Sequence, residues 1–180
     1  MVDNDIYDNR GKYARFKDSI REFLAEPSGM RIYRIKNPRN LEHFKRLFFK
    51  LDSRGGAYVR RMRLCRTFQM VCHYIEQDLA DVDRDDIDYL MLQSQTHNKT
   101  PSTKKGFVSD LKFLWKILFP DKDEKGRSDE TIVPYVVRHL STKIDKSLEK
   151  VRKDRLTVEE FDKILSAFSH DRRMQALISL

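Results

Sequence analysis

Three observations predict an all-α fold, built as a small helical bundle. The 180 residues include only 6 Gly and 5 Pro, too few for the many turns of a β-sandwich or barrel. Apolar residues recur three and four positions apart in successive segments, which is the spacing of a helix face. Turn signals such as Asn37-Pro38 and Gly55-Gly56 separate these segments. A chain of this length can bury a full core without disulfides or a metal.

The most informative segment is a helix predicted over residues 56–79. Its core-facing stripe comprises Leu64, Phe68, Val71, Cys72, Ile75 and Leu79. Arg63 and Arg66 fall on the opposite face, with Arg60 at its edge. Between residues 53 and 75 there are five arginines and no acidic residue. Because like charges repel on a helix face, this unneutralised face favours an anionic partner, with a merely solvated surface as the alternative.

Two helices are predicted ahead of this segment. Residues 1–36 form an N-terminal extension with one short helix, whose apolar stripe runs from Tyr13 to Leu24. The next helix begins near Asn40, a residue suited to the N-cap, and ends at Gly55-Gly56.

An acidic run between Asp81 and Asp88 follows the central helix. A calcium loop is disfavoured, because the sixth place holds Asp86 instead of glycine and the twelfth holds Leu92 instead of glutamate. We interpret the run as a connector and the acidic start of a short helix, since carboxylates suit the positive end of the helix dipole.

A helix that starts at Thr100-Pro101 repeats the pattern of the central helix. Its core stripe comprises Phe107, Leu111, Leu114, Trp115 and Leu118. Lys105, Lys112 and Lys116 lie on the opposite face. Two helices that are each apolar on one side and basic on the other can follow the phosphates of a nucleic acid, with salt-sensitive affinity. The net charge of +8 agrees with a polyanionic partner.

The rest of the chain is predicted to hold a linker and the start of a second domain. Residues 120–154 are a basic interdomain linker with a weak helix, and their charge run is either solvated or grips the DNA backbone. Thr157 and Glu160 form a capping box that opens residues 155–180. The apolar pattern stops midway at Leu180, as expected of a cut through a domain.

The cysteine pattern predicts an intracellular protein. Cys65 and Cys72, seven apart on one helix, would lie roughly 10 Å from each other, beyond disulfide reach. The sequence contains no zinc-type Cys/His spacing, no signal peptide and no run of 18 apolar residues. We therefore expect a cytoplasmic, nucleoid-associated protein that needs neither a metal nor a membrane.

The segments together resemble the N-terminal half of a tyrosine recombinase of the phage-integrase family, of the archaeal kind. Residues 155–165 and 172–180 are similar to the "LT-x-EE" and "R-x-x-AL-x-x-L" helices that open its catalytic domain. Asn37-Pro38-Arg39-Asn40, Asp85-Asp86-Ile87, Pro101-Ser102-Thr103 and Leu111-Lys112-Phe113-Leu114 look like parts of its core-binding domain. The resemblance implies that residues 37–119 are a SAM-like, DNA-binding bundle and that residues 155–180 are the first catalytic-domain helices.

The resemblance implies double-stranded DNA as the partner and integration or excision as the function of the full-length family. That family cuts and rejoins DNA through a tyrosine nucleophile without a metal or other cofactor. No residue here matches a catalytic position, so we expect no cleavage by this chain. Whether a homo-oligomer assembles on DNA stays open. The DNA contacts predicted by position are Arg60, Arg63, Arg66, Lys105, Lys112, Lys116, Lys150, Arg152 and Lys153.

Two other functions stay open. A stand-alone helical DNA-binding regulator would share the fold without the chemistry, and a reading frame that continues past Leu180 would argue against it. A helical protein-interaction module would instead use its basic faces on an acidic protein. A self-contained enzyme is disfavoured, because the sequence shows no Gly-rich phosphate loop, metal cluster or nucleophile–base pair. Residues 1–36 would serve as an accessory arm or a subunit-packing helix.

Overall fold

The structure, a computed structural model, describes residues 7–25, 33–96, 100–143 and 157–168. Chain contacts divide the protein into two units, Met1–Ile144 and Asp145–Leu180. The described part of the first unit contains α1 (Asn9–Asp18), a 3-10 turn (Ile20–Leu24), α2 (Asn40–Arg54), α3 (Tyr58–Tyr74), α4 (Arg84–Ser94), α5 (Pro101–Leu118) and α6 (Tyr135–Arg138). The described part of the second contains α7 (Val158–Ala167). Extended pairing within these ranges is limited to one bridge between Lys122 and Ser128, which confirms the all-α prediction.

The core of the first unit lies where α2, α3 and α5 pack against one another. The predicted stripes of α3 and α5 are buried throughout. Helix α3 ends at Tyr74, five residues earlier than expected, because Ile75 adopts an extended backbone. Ile75 and Leu79 are nevertheless buried, since the chain beyond the helix stays on the core.

Asn40 holds that following loop in place instead of capping α2. Its side chain is wholly buried and makes no cap bond. The Asn40 amide nitrogen donates to the Gln77 carbonyl at 2.9 Å, and its amide oxygen accepts from the Leu79 N–H at 2.9 Å. The N-cap expectation was therefore wrong. Both polar groups of this amide instead hydrogen-bond to the backbone of the loop, whose buried polar groups require partners.

The N-terminal segment packs on the bundle through aromatic side chains. The Phe16 ring lies 4.9 Å from Phe23 and 6.1 Å from Phe44, between ring centroids. The Tyr13 hydroxyl donates to the Asp52 carboxylate of α2 at 3.0 Å. The described part of residues 1–36 thus belongs to the first unit and contributes to its core.

Residues 120–143, expected as part of a linker, also pack against the bundle. Val137 and Leu140 are buried, and α6 packs on α4 and α5. The Glu130 carboxylate accepts from Lys50 of α2 at 2.7 Å and also pairs with Arg54. Arg84 lies over the Tyr135 ring, 3.5 Å from its centroid. This segment packs against the bundle, although its sequence is polar, because it buries two apolar residues at helical spacing and pairs an acidic residue with basic side chains of α2.

The starts of α4, α5 and α7 follow the expected capping chemistry. Asp83 and Asp86 form a capping box at α4, which accounts for two carboxylates of the acidic run. Thr100 caps α5 ahead of Pro101, and the predicted box of Thr157 and Glu160 opens α7. None of the described helices is long and apolar enough to cross a membrane.

Candidate nucleic-acid interface

A groove of about 380 Å³ lies between α3 and the first turns of α5. It is lined by Tyr33, by Arg63, Arg66, Thr67 and Met70 of α3, and by Ser102, Thr103, Gly106, Phe107 and Asp110 of α5. We call it the α3–α5 groove. Arg60 contacts Phe113 while Arg63 contacts Asp110, so the two helices run antiparallel here. The volume falls near the low end of the range of about 300 to 1,000 Å³ typical of ligand pockets.

Arg63 and Asp110 form an ion pair within this groove. The guanidinium Nη2 lies 2.7 Å from Oδ1 of Asp110, whose side chain is only 3% exposed, while that of Arg63 is 55% exposed. The Thr67 hydroxyl lies 3.5 Å from the second carboxylate oxygen. The expectation of an arginine face without neutralising acids was therefore wrong for Arg63. The neutralising carboxylate belongs to a different helix, and the local pattern of α3 does not include it.

Two more arginines of this stretch also have acidic partners. Arg61, whose side chain is 12% exposed, donates to Asp52 at 3.0 Å, and Arg54 pairs with Glu130. Arg60 lies over the Phe113 ring at 5.4 Å from its centroid. Arg66 is exposed, and no acidic side chain among the described residues lies within ion-pair distance of it. Arg66 is thus the groove cation with the most freedom to bind an external anion.

The three lysines predicted on α5 are placed differently from one another. Lys105 is exposed and does not line the groove, although its neighbour Gly106 does. Lys112 donates to the Arg138 carbonyl at 3.4 Å. Hydrogen bonds from Thr131, and to a lesser extent the charge of Lys116, lower the pKa of Asp129. Lys112 and Lys116 are thus half-buried and face the folded-back segment of residues 120–143.

The predicted site therefore comes together only in part. Arg63 and Arg66 line the groove, and Arg60 lies about one turn before Arg63 on α3. Lys105 is exposed on α5 but does not line the groove. Lys150, Arg152 and Lys153 fall outside the described residues, as does the "R-x-x-AL-x-x-L" stretch of residues 172–180.

Several groove residues were missed by the sequence interpretation. Asp110 had a signal: it stands three residues after Phe107 and four before Leu114, within the buried stripe. A carboxylate at such a position requires a partner. Ser102 and Thr103 had a weaker signal, since the first turn of a helix carries a positive partial charge that favours anions. Tyr33 had none, because only the tertiary fold brings it to α3.

Aromatic side chains adjoin the groove at Tyr33. The Tyr33 ring centroid lies 5.5 Å from that of His73 and 6.3 Å from that of Tyr74. The Gln69 side chain of α3 donates to the Tyr33 carbonyl at 2.9 Å, which fixes this residue against the helix. Burial, with a smaller effect of Tyr74, raises the pKa of the Tyr33 phenol, so its hydroxyl stays protonated at neutral pH.

Nucleophilic and metal chemistry find little support in the described residues. Burial raises the pKa of both thiols, Cys65 and Cys72, so both stay protonated at neutral pH. No group of three or more His, Cys, Asp or Glu side chains in the described ranges could hold a metal ion.

The fold and the groove define an all-α bundle with a cationic groove between two antiparallel helices. No protein-family model, no curated protein and no solved structure matches this chain. The resemblance to tyrosine recombinases stays a prediction from the sequence.

Proposed function

We propose that this chain binds duplex DNA at the α3–α5 groove and the basic surface beside it. In this proposal it is the DNA-binding N-terminal part of a site-specific tyrosine recombinase, with a SAM-like core-binding bundle. The observation that supports it best is the charge arrangement at the groove. Arg66 is exposed there, while Asp110, the acid among the lining residues, is buried and held by Arg63. Lys105 is exposed on α5 outside the groove and belongs to the basic surface beside it.

Phosphate oxygens suit this arrangement. A guanidinium binds phosphate through several N–H donors, and the contact to Asp110 leaves other donors of Arg63 available at its exposed side. The first turn of α5 adds its positive partial charge beside Ser102 and Thr103. Contacts of this kind fix the register of a protein on DNA without reading the sequence. We assign no base-specific contact to any one arginine.

Strand cleavage is proposed for the longer recombinase and not for this chain. Two His–Asp pairs occur in the described residues, and both join separate elements of the bundle. His43 of α2 lies 2.8 Å from Asp78, and His139 lies 2.9 Å from Asp88 of α4. No serine, threonine or cysteine side chain of the described ranges hydrogen-bonds to either histidine, so we assign both pairs structural roles.

Binding to labelled duplexes across roughly 50 to 300 mM salt tests the proposal. Each phosphate contact contributes about −0.9 to the slope of log affinity against log salt. With Arg63, Arg66 and Lys105 engaged, we expect a slope near −2 to −3, and tighter binding of an attachment half-site than of a scrambled duplex. A flat slope, or no binding at low salt, contradicts DNA binding. Salt-sensitive binding to an acidic protein instead would favour the protein-interaction module.

A further inference from the structure

The α3–α5 groove has two chemically different parts. Tyr33, Met70 and Phe107 give it an apolar part that includes an aromatic ring. Arg63, Arg66, Ser102 and Thr103 give it a part rich in cations and hydroxyls. Phosphates alone would not need the apolar part. A ligand with a planar apolar face and an attached anion would use both.

We propose that this groove holds one nucleotide of single-stranded DNA, with its base against the Tyr33 ring and its phosphate between Arg66 and the first turn of α5. The proposal rests on the proposed function for the class of partner, but it concerns an unpaired strand instead of the duplex. A base inside a regular duplex has both faces stacked on its neighbours, so an aromatic side chain can receive it only after it leaves the stack.

The size of the groove fits this ligand. A volume of about 380 Å³ is close to the lower limit for pockets that bind small molecules, so a single nucleotide can enter the groove, whereas a duplex would contact only its rim through phosphates. Gly106 keeps it open. A Cβ at this position would meet no heavy atom within 4 Å, so a larger side chain there would occupy the groove instead of clashing with the core.

The charges place the phosphate. Asp110 holds one side of the Arg63 guanidinium at 2.7 Å, whereas Arg66 has no acidic partner among the described residues. The Thr103 N–H donates to the Thr100 hydroxyl at 3.2 Å, which keeps the start of α5 ordered beside the anion. The base then falls on the side of Tyr33, whose position is fixed by Gln69 and by the ring contacts to His73 and Tyr74.

Gly106→Leu tests this proposal directly. Leucine is a better helix former than glycine, so the variant should fold at least as well as the parent chain. The probe is a fluorescently labelled oligodeoxythymidine of about ten nucleotides, measured by anisotropy beside a duplex of equal length. We expect Gly106→Leu to weaken binding of the single strand by at least 10-fold. Ser109→Leu is the matched control, because Ser109 is an exposed α5 residue outside the groove, and it should stay within 2-fold.

Tyr33→Ala provides the second arm. Removing an aromatic ring on which one base stacks typically lowers affinity by roughly 5-fold or more. We expect this loss for the single strand and a change of less than 2-fold for the duplex. Unchanged single-strand affinity in both variants would overturn the proposal. If duplex affinity still fell steeply with salt, the proposed binding of duplex DNA would stand without the single-strand site. Thymidine monophosphate provides a further check as a competitor of the labelled oligonucleotide. If it displaced the probe at a concentration equal to or lower than that of unlabelled oligonucleotide, the proposal would also be overturned, since the groove would then be a site for a free nucleotide.

Discussion

The guanidinium of Arg63 on α3 and the buried carboxylate of Asp110 on α5 lie 2.7 Å apart, joining the two helices that form the groove. Among the described residues, Arg63→Ala would leave the carboxylate with the Thr67 hydroxyl at 3.5 Å as its one side-chain partner. We expect the free energy of unfolding to fall by about 1 to 3 kcal/mol, the cost of leaving a buried polar group without its partner. Urea denaturation measures it, and Arg66→Ala is the matched control, expected within about 0.5 kcal/mol of the parent.

Replacing both partners separates the ion pair from packing. When a buried carboxylate and its cation are both exchanged for apolar side chains, stability often changes little, because no unpaired charge is left in the interior. The variant carrying Arg63→Met and Asp110→Leu should therefore recover most of the stability lost in Arg63→Ala, while losing affinity for DNA. A double variant as unstable as Arg63→Ala would mean that the loss does not come from the stranded carboxylate.

Asn40→Ala should be among the most destabilising single changes on α2. It removes the donor to the Gln77 carbonyl and the acceptor of the Leu79 N–H, both at 2.9 Å. Two backbone groups beside a buried side chain would lose their partner, at a cost of about 2 to 4 kcal/mol. Thermal or urea unfolding measures this. Asn37→Ala removes only an exposed turn contact to the Arg39 N–H and should cost far less.

Stability should fall at acid pH through Asp52, which joins α1 and α3 to α2. Burial alone would raise the pKa of Asp52, but hydrogen bonds from Lys17 and Tyr13 and the charge of Arg61 outweigh it, so the pKa lies below its ordinary value. A lowered carboxyl pKa stabilises the fold above the unfolded-state value of about 3.9, and this contribution disappears as pH falls through the folded-state value.

Unfolding measured between pH 6 and pH 3 checks this expectation. Asp52→Asn should be less stable than the parent at pH 6 and should lose less stability on acidification. Other carboxyls with lowered pKa, Glu76 and Asp78 among them, will keep part of the acid dependence in both proteins. Parallel curves for the two proteins would show that Asp52 does not contribute.

Val137→Ala tests whether residues 120–143 belong to the bundle. Val137 is fully buried, and α6 packs on α4 and α5. Truncating its side chain should cost roughly 1 to 3 kcal/mol in the free energy of unfolding, with a single cooperative transition. Val59→Ala, at an exposed site of α3, is the control and should stay within about 0.5 kcal/mol.

Local pattern was sufficient for the helices and their buried faces. The stripes of α3 and α5, the acidic start of α4 and the capping box of α7 depend on residues a few positions apart, and these appear as expected. The charge partners are not local. Arg63 and Asp110 are 47 positions apart, and Lys50 and Glu130 are 80 apart. Composition therefore predicted a basic face, but only the fold determines which of its cations are already paired.

The folded-back segment shows a second limit of sequence interpretation. Residues 120–129 are polar and charged, which is typical of a linker. Carboxylates nevertheless order the segment: Asp121 accepts from the Tyr135 N–H at 2.9 Å and from Arg138 at 3.2 Å within it, and Glu130 pairs with Lys50 of α2 at 2.7 Å. A charged segment becomes ordered when its side chains have hydrogen-bond and ion-pair partners. Those partners can be identified only from the three-dimensional structure.

The most direct test of the central claim compares Arg66→Glu with Arg46→Glu in duplex binding at about 100 mM salt. Arg66 lines the groove, whereas Arg46 is an exposed arginine of α2 outside it, and the net charge changes equally in both variants. We predict at least a 10-fold loss of affinity and a salt slope smaller by about one for Arg66→Glu, with less than 3-fold loss for Arg46→Glu. Equal losses in the two variants would contradict binding at the α3–α5 groove.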